Sequence, residues 1–221
     1  IFIGLTEIAG YYNNLKKGFQ KIGVECSFVN LSDHPFQYGG DDETNIFVKL
    51  YKWNNKKISQ YESKIIKVPF CLLNKILKVP IIIWALSHYN VFIFGFGRSF
   101  FNYFDLPILK FFNKKIIFVF NGSDERPPYI DRARHGLTTE DYKRTTQIMK
   151  SNIVTINKYA DCIVGSTNSA HFHQKNIIKS LALGLPFNYP SANNCFQDEI
   201  KNSVRILHAP SDPIGKGSNR I

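Results

Sequence analysis

Two short segments hold the side chains best suited to chemistry. The first is Asn121-Gly-Ser-Asp-Glu-Arg126, six polar residues delivered by the very apolar run Lys115 to Phe120 (KIIFVF). Asp124 and Glu125 are carboxylates that could take a proton from a hydroxyl or hydrogen-bond one, and Arg126 could hold them or meet a phosphate. The same six residues also describe a plain turn, closed by an Asx hydrogen bond and a local ion pair. The second segment is Lys216-Gly217-Ser218, which follows the apolar run Val204 to Leu207 and the turn-rich stretch His208 to Gly215. A lysine where a helix begins lies beside free backbone N–H groups and the positive end of the helix dipole, and that setting suits a phosphate.

Other motifs are weaker. Gly95-Phe-Gly97-Arg98 has G-x-G without a third glycine and lies mid-chain, whereas a dinucleotide fingerprint opens the first βα turn. Gly215-Lys-Gly-Ser218 lacks the upstream glycine of a phosphate-binding P-loop. The six histidines show no zinc-type spacing, and His171 and His173, two apart with no third ligand nearby, read as solvent-facing or supporting groups. No metal site and no G-x-S-x-G nucleophile elbow is predicted. The stretch Tyr51 to Lys57 interleaves aromatics with lysines, as single-strand binders do, but a solvated helix face explains it and nucleic acid is not predicted as a partner.

These segments need a scaffold, and the apolar periodicity supplies one. Ile1 to Leu5 reads as a strand. Ile8, Tyr12, Leu15, Phe19 and Ile22 then recur at helical spacing, ended by Gly23, and Val24 to Val29 reads as a second strand. Strand, helix, strand with a tight turn at 6–10 predicts a parallel α/β sheet. Further strands are predicted at Val91 to Phe96, Lys115 to Phe120 and Asp161 to Val164, with helices at Phe104 to Phe112 and Thr138 to Ala160, the latter opened by a capping-box variant. Ile46 to Lys67 is ambiguous. Val68 to Leu86 is strongly apolar but carries Lys75, Lys78 and Pro80, so a buried helix or an interfacial one fits better than a membrane span. The fold class predicted is α/β, a Rossmann-like, mostly parallel sheet with helices on both faces. In such sheets ligands bind beyond the carboxyl ends of the strands, where the 6–10 and 121–126 loops lie.

The chain has 221 residues, a net charge of +11 and a pI near 9.5. The basic balance predicts an acidic partner: a nucleotide diphosphate, an anionic membrane surface or nucleic acid. Cys26, Cys71, Cys162 and Cys195 are widely spaced, which favours a reducing, cytoplasmic setting and buried, inert thiols over a disulfide framework. Residues 1–185 are read as one domain, 186–203 as a linker, and 204–221 as the first strand and helix start of a second domain cut short.

With those residues in place, the chain resembles the amino-terminal half of a GT-B glycosyltransferase, of the large retaining group that uses nucleotide-sugar donors to build cell-surface glycans. Glu7-Ile-Ala-Gly10 resembles that family's glycine-containing first loop. Gly122-Ser-Asp124 with Arg126 resembles its G-S-D-x-R segment, and His208-Ala-Pro-Ser211 with Lys216-Gly217 resembles the entry to its donor domain. Asp161-Cys-Ile-Val164 and Leu183-Gly-Leu-Pro186 resemble its A-D-x-I/V strand and G-x-P segment. The resemblance implies two Rossmann-like domains facing across a cleft, transfer of a sugar from a nucleotide-sugar donor to a glycan or lipid-linked acceptor, and no metal or other cofactor. It implies a catalytic or acceptor-facing role for Asp124 and Glu125 and substrate contacts from Glu7, Gly10, Asn121, Gly122, Ser123 and Arg126. Lys216 and Gly217 would meet the donor diphosphate. Apart from the resemblance, the charge of +11 and the apolar stretch Val68 to Leu86 predict a peripheral anionic membrane as a further partner. The sequence departs from the family in lacking an arginine shortly before Lys216 and an evident crevice histidine, and the E-x7-E glutamate pair is absent. A non-catalytic α/β binding module is the alternative, and the sugar, acceptor and stereochemical outcome stay open.

Overall fold

The computed structural model describes residues 1–32, 45–130 and 136–186. Strands and helices alternate: β1 (Phe2–Leu5), α1 (Tyr11–Lys21), β2 (Ser27–Asn30), α2 (Ile46–Gln60), α3 (Lys64–His88), β3 (Val91–Gly95), α4 (Leu106–Phe111), β4 (Lys115–Val119), α5 (Thr139–Tyr159) and β5 (Cys162–Gly165). A 3-10 helix (Thr167–Phe172), a short β6 (Ile178–Lys179) and α6 (Ser180–Leu183) follow. The six strands are all parallel, in the order β2-β1-β3-β4-β5-β6. This is a Rossmann-like α/β sheet, as the alternation of elements predicts.

Helices lie on both faces because the strands alternate between two apolar sets. Phe2, Phe92, Phe94, Ile116 and Phe118 point to one face, where they meet Ile81, Ile82 and Ala85 of α3, Leu106 and Leu109 of α4, and Ile156 of α5. Ile3, Phe28, Ile93 and Val119 point to the other, against Tyr12, Leu15 and Phe19 of α1. Register brings the large rings side by side: Phe2 pairs with Phe92 and Phe94 with Phe118, with ring centroids 5.3 and 5.5 Å apart. Such aromatic pairs add about 0.5–1.5 kcal/mol each beyond their area burial.

Several expectations change. The second strand begins at Ser27, not Val24, and Ile22 is exposed just past the end of α1 rather than part of its buried stripe. The ambiguous stretch resolves into α2 and the first turn of α3, an antiparallel hairpin. It is pinned by a buried amide ladder in which Asn54 donates to Phe70 O and Asn74 Oδ1, and Asn74 donates to Asn55 Oδ1, at 2.5–2.7 Å. The apolar stretch at Val68 to Leu86 is helical, but α3 is not a buried helix: only Asn74, Ile81, Ile82 and Ala85 are buried along its 25 residues. Cys26 is buried as expected, whereas Cys71 is exposed. Of the expected linker only Pro186 is described. The rest of it, Cys195, and the expected second-domain start with Lys216 and Gly217 lie outside the described residues.

Candidate functional site

The strand order reverses direction at β1 and β3. From β1 the chain steps outward to β2 through α1 on one face, then returns past β1 to β3 through α2 and α3 on the other. A crevice opens at such a switch point, beyond the carboxyl ends of the strands. The loops after β1, β3 and β4 meet there.

The β1 loop turns through two left-handed residues, Ala9 (φ 50°) and Gly10 (φ 80°), and Gly10 caps α1 without a side chain. Glycine is needed at that cap because a side chain is strained in this conformation. The capping is done from upstream by Glu7. Its carboxylate, fully buried, accepts from the N–H groups of Ile8 (2.7 Å), Asn13 (2.9 Å) and Tyr12 (3.2 Å). Burial pushes its pKa above the ordinary carboxylate value, and the surrounding N–H groups only partly pull it back. Glu7 therefore turns inward, away from the substrate contact the resemblance implies. The positive end of α1, where a phosphate would otherwise sit, already holds an anion belonging to the protein.

Tyr12 joins the three loops. Its ring lies over Gly95 at the end of β3: a Cβ there would come within 2.0 Å of the phenol, so only glycine fits. The hydroxyl donates to Val119 O (3.4 Å) and accepts from Asn121 Nδ2 (2.9 Å). Burial raises the pKa of this phenol well above the ordinary tyrosine value. The Gly95-x-Gly97 pair thus has a packing origin. Gly95 makes room for Tyr12, and Gly97 adopts φ 55°, where a side chain would be strained and its Cβ would touch Asp124.

The β3 loop is itself held by a buried carboxylate. Asp105 accepts from Ser99 Oγ (2.6 Å), Phe101 N (2.9 Å) and Phe100 N (3.2 Å). Tyr103, at φ 74°, closes back to donate to Gly97 O. Burial lifts its phenol pKa to about 12, and the nearby Asp124 charge pushes the same way.

The polar segment after β4 makes the turn its composition allows. Asp124 accepts from Gly122 N (2.8 Å) and from Asn121 N (3.0 and 3.2 Å to its two oxygens). Gly122 adopts φ 124°, and the Arg126 guanidinium stands 3.2 Å from where a Cβ would project. Arg126 and Asn121 are exposed, Ser123 and Asp124 half-buried. Burial raises the Asp124 pKa to about 6, against the pull of the same N–H groups. Its Oδ2 takes only the longer of the two contacts with Asn121, so lone pairs remain for a hydroxyl. A carboxylate so oriented and with such a pKa can exchange a proton near neutrality.

Glu125 departs from the expectation of a crevice carboxylate. It points beneath β5, where a Cβ on Gly165 would lie 3.2 Å from its Oε2. That Oε2 is 3.1 Å from His173 Nε2, with both side chains fully buried. Among the described residues its Oε1 finds no hydrogen-bond partner. Asn157 anchors the neighbourhood by accepting from Gln174 N and Lys175 N. His171 is exposed as expected, but the His173 side chain is fully buried, its ring tilted 50° to that of Phe120 with centroids 5.0 Å apart. Glu125 also borders a cavity of about 300 Å³ between α5 and the 3-10 helix, lined further by Met149, Ile153, Asn157 and Phe172.

The structure therefore places Gly10 on the loop after β1 and Asn121, Gly122 and Asp124 on the loop after β4, both at the carboxyl ends of the strands, and turns Glu7 and Glu125 into the protein. It adds Tyr12 and Tyr103, which sequence reasoning missed. Tyr12 sits in the apolar stripe of α1 and reads as core, and Tyr103 has no motif around it. Among the described residues no group of three or more His, Cys, Asp or Glu could hold a metal ion. No family model, curated protein or solved structure matches the chain.

Proposed function

We propose that the chain contributes the acceptor-side domain of a glycosyltransferase that moves a sugar from a nucleotide-sugar donor to a glycan or lipid-linked hydroxyl. The observation that supports this most is Asp124. Its own turn fixes the carboxylate at the switch-point crevice, beside Asn121 and the Tyr12 and Tyr103 phenols, with a pKa near 6. Preorientation by backbone donors is what a proton-accepting or hydroxyl-binding group needs. Lys216 and Gly217 would supply the donor-phosphate contact implied by the resemblance.

One observation favours the alternative, a non-catalytic binding module of the same fold. Glu7 fills the α1 N-terminus, which removes one ready anion site from the crevice. The two readings separate in one experiment on the whole gene product, assayed with a panel of uridine, guanosine, adenosine and cytidine nucleotide sugars. Under the first, sugar is transferred, Asp124→Ala lowers kcat by about 10²–10⁴ with nucleotide affinity unchanged, and Lys216→Ala weakens nucleoside diphosphate binding. Nucleotide binding without transfer selects the module, and neither binding nor transfer refutes the glycosyltransferase reading.

A further inference from the structure

We infer that the outer face of α3, with the neighbouring surface of α4, is a docking surface for an anionic lipid bilayer, on which the protein rests with α3 in the plane of the interface. This does not depend on the proposed function. Ile65, Val68, Leu72, Ile76, Val79 and Ile83 recur at helical spacing along α3, and all are 46–83% exposed. At 1.5 Å per residue the stripe runs about 27 Å. The opposite side of the helix is the one buried, through Asn74 against α2 and Ile81, Ile82 and Ala85 in the core. The stripe is thus a second apolar face on a helix that needs only one to fold.

It continues sideways. Val79, Ile83 and Leu86 form one wall of an apolar groove whose other wall is Phe101, Ile108 and Phe112. Beyond it Phe104 and Phe111 are each more than 80% exposed. Soluble monomers rarely leave a contiguous patch of this kind uncovered.

Charge identifies the occupant. The segment 46–88 carries eight lysines and one glutamate, so it holds most of the net charge of +11. Lys64, Lys67 and Lys75 line a shallow basic groove together with Val68, Cys71 and Leu72, which sets ammonium groups along the edge of the apolar stripe. Lysine stems extend along such a surface while their charges reach phosphate headgroups. Apolar side chains entering the acyl boundary, rimmed by cations, are the signature of an interfacial helix. By length and composition alone α3 could also cross a bilayer. Spanning would strip Ile81, Ile82 and Ala85 from the sheet, so the helix lies along the membrane rather than through it.

The test uses the intact chain and sucrose-loaded vesicles, either pure phosphatidylcholine or containing roughly one third phosphatidylglycerol, sedimented at low ionic strength and at about 0.5 M salt. Binding is expected to the anionic vesicles at low salt, at least about tenfold weaker to neutral ones or at high salt. Lys64→Ala/Lys75→Ala should weaken it about 25-fold, at about fivefold per lysine. Leu72→Ser/Ile76→Ser should weaken it at least about tenfold while leaving the thermal melt unchanged, because both side chains are exposed. Absence of binding to anionic vesicles at low salt overturns the proposal, as does binding that the stripe variant leaves intact. A dimer by light scattering that dissociates in the stripe variant, without vesicle binding, assigns the face to a second copy instead.

Discussion

Replacing Glu7 by alanine separates a structural carboxylate from a ligand-reading one. The side chain is fully buried and accepts three backbone N–H groups, two of them (Tyr12 and Asn13) in the first turn of α1. Alanine takes the acceptor from all three donors, the Tyr12 N–H in a buried position and those of Ile8 and Asn13 in half-buried ones. Loss of a helix cap costs about 0.5–2 kcal/mol, and each further orphaned buried donor about 1 kcal/mol or more. Part of this is recovered because an ionised group no longer has to be desolvated, a cost visible in the raised Glu7 pKa. The net expectation is a loss of about 3 kcal/mol, which in a chain of this length lowers Tm by about 6–12 °C. Glu7→Gln keeps one carbonyl acceptor and should lose about half as much. Urea denaturation followed by far-UV circular dichroism measures both. A change under about 0.5 kcal/mol for Glu7→Ala, accompanied by lost nucleotide affinity, would refute the reasoning and return Glu7 to the substrate site.

The other expectations concern the same crevice and its supports. Gly95→Ala drives a Cβ into the Tyr12 phenol and should cost about 1–3 kcal/mol; adding Tyr12→Leu should recover part of it, and a neutral single variant in urea melts contradicts the packing described. His173→Ala leaves Glu125 buried with neither oxygen paired and should cost about 3–5 kcal/mol, whereas the double variant with Glu125→Leu should cost clearly less; additive losses rule out the coupling. Asp124 has a folded-state pKa of about 6 against about 3.8 when unfolded, so between those values the native state holds the extra proton. Its ionisation then lowers stability as pH rises from about 4 to 6, by on the order of 2 kcal/mol, and the effect levels off above that window. Asp124→Asn should flatten this portion of the stability–pH curve, and an unchanged slope assigns it to other groups.

The α/β alternation was legible because strands buried on both faces give unbroken apolar runs such as KIIFVF, and because α1 and α5 carry one apolar stripe each. The α2–α3 hairpin was not. Its second helix is apolar on both sides, which looks the same in sequence whether the extra face is buried or exposed, and its hairpin contact includes a ladder of asparagines beside the apolar Val48, Tyr51 and Ile81. β6 escaped notice because it is two exposed residues long. At the site, the polar segment after β4 was correctly placed at the strand end, but spacing does not tell which way adjacent side chains point. Asp124 stays at the crevice while Glu125, one residue on, turns beneath β5 to meet a histidine that is distant in sequence. Glu7 illustrates the same limit: a glutamate three residues before a helix cap reads equally as a ligand contact or as the cap's own acceptor.

Hydrogen exchange of the backbone amides in the β1, β3 and β4 loops, with and without a saturating nucleotide sugar, tests the central claim most directly. Slowed exchange is expected across Ile8 to Tyr12, Phe96 to Arg98 and Asn121 to Arg126 on ligand addition, with α2 and α3 unaffected. Unchanged exchange in all three loops while the ligand is demonstrably bound, or protection confined to another part of the molecule, contradicts it.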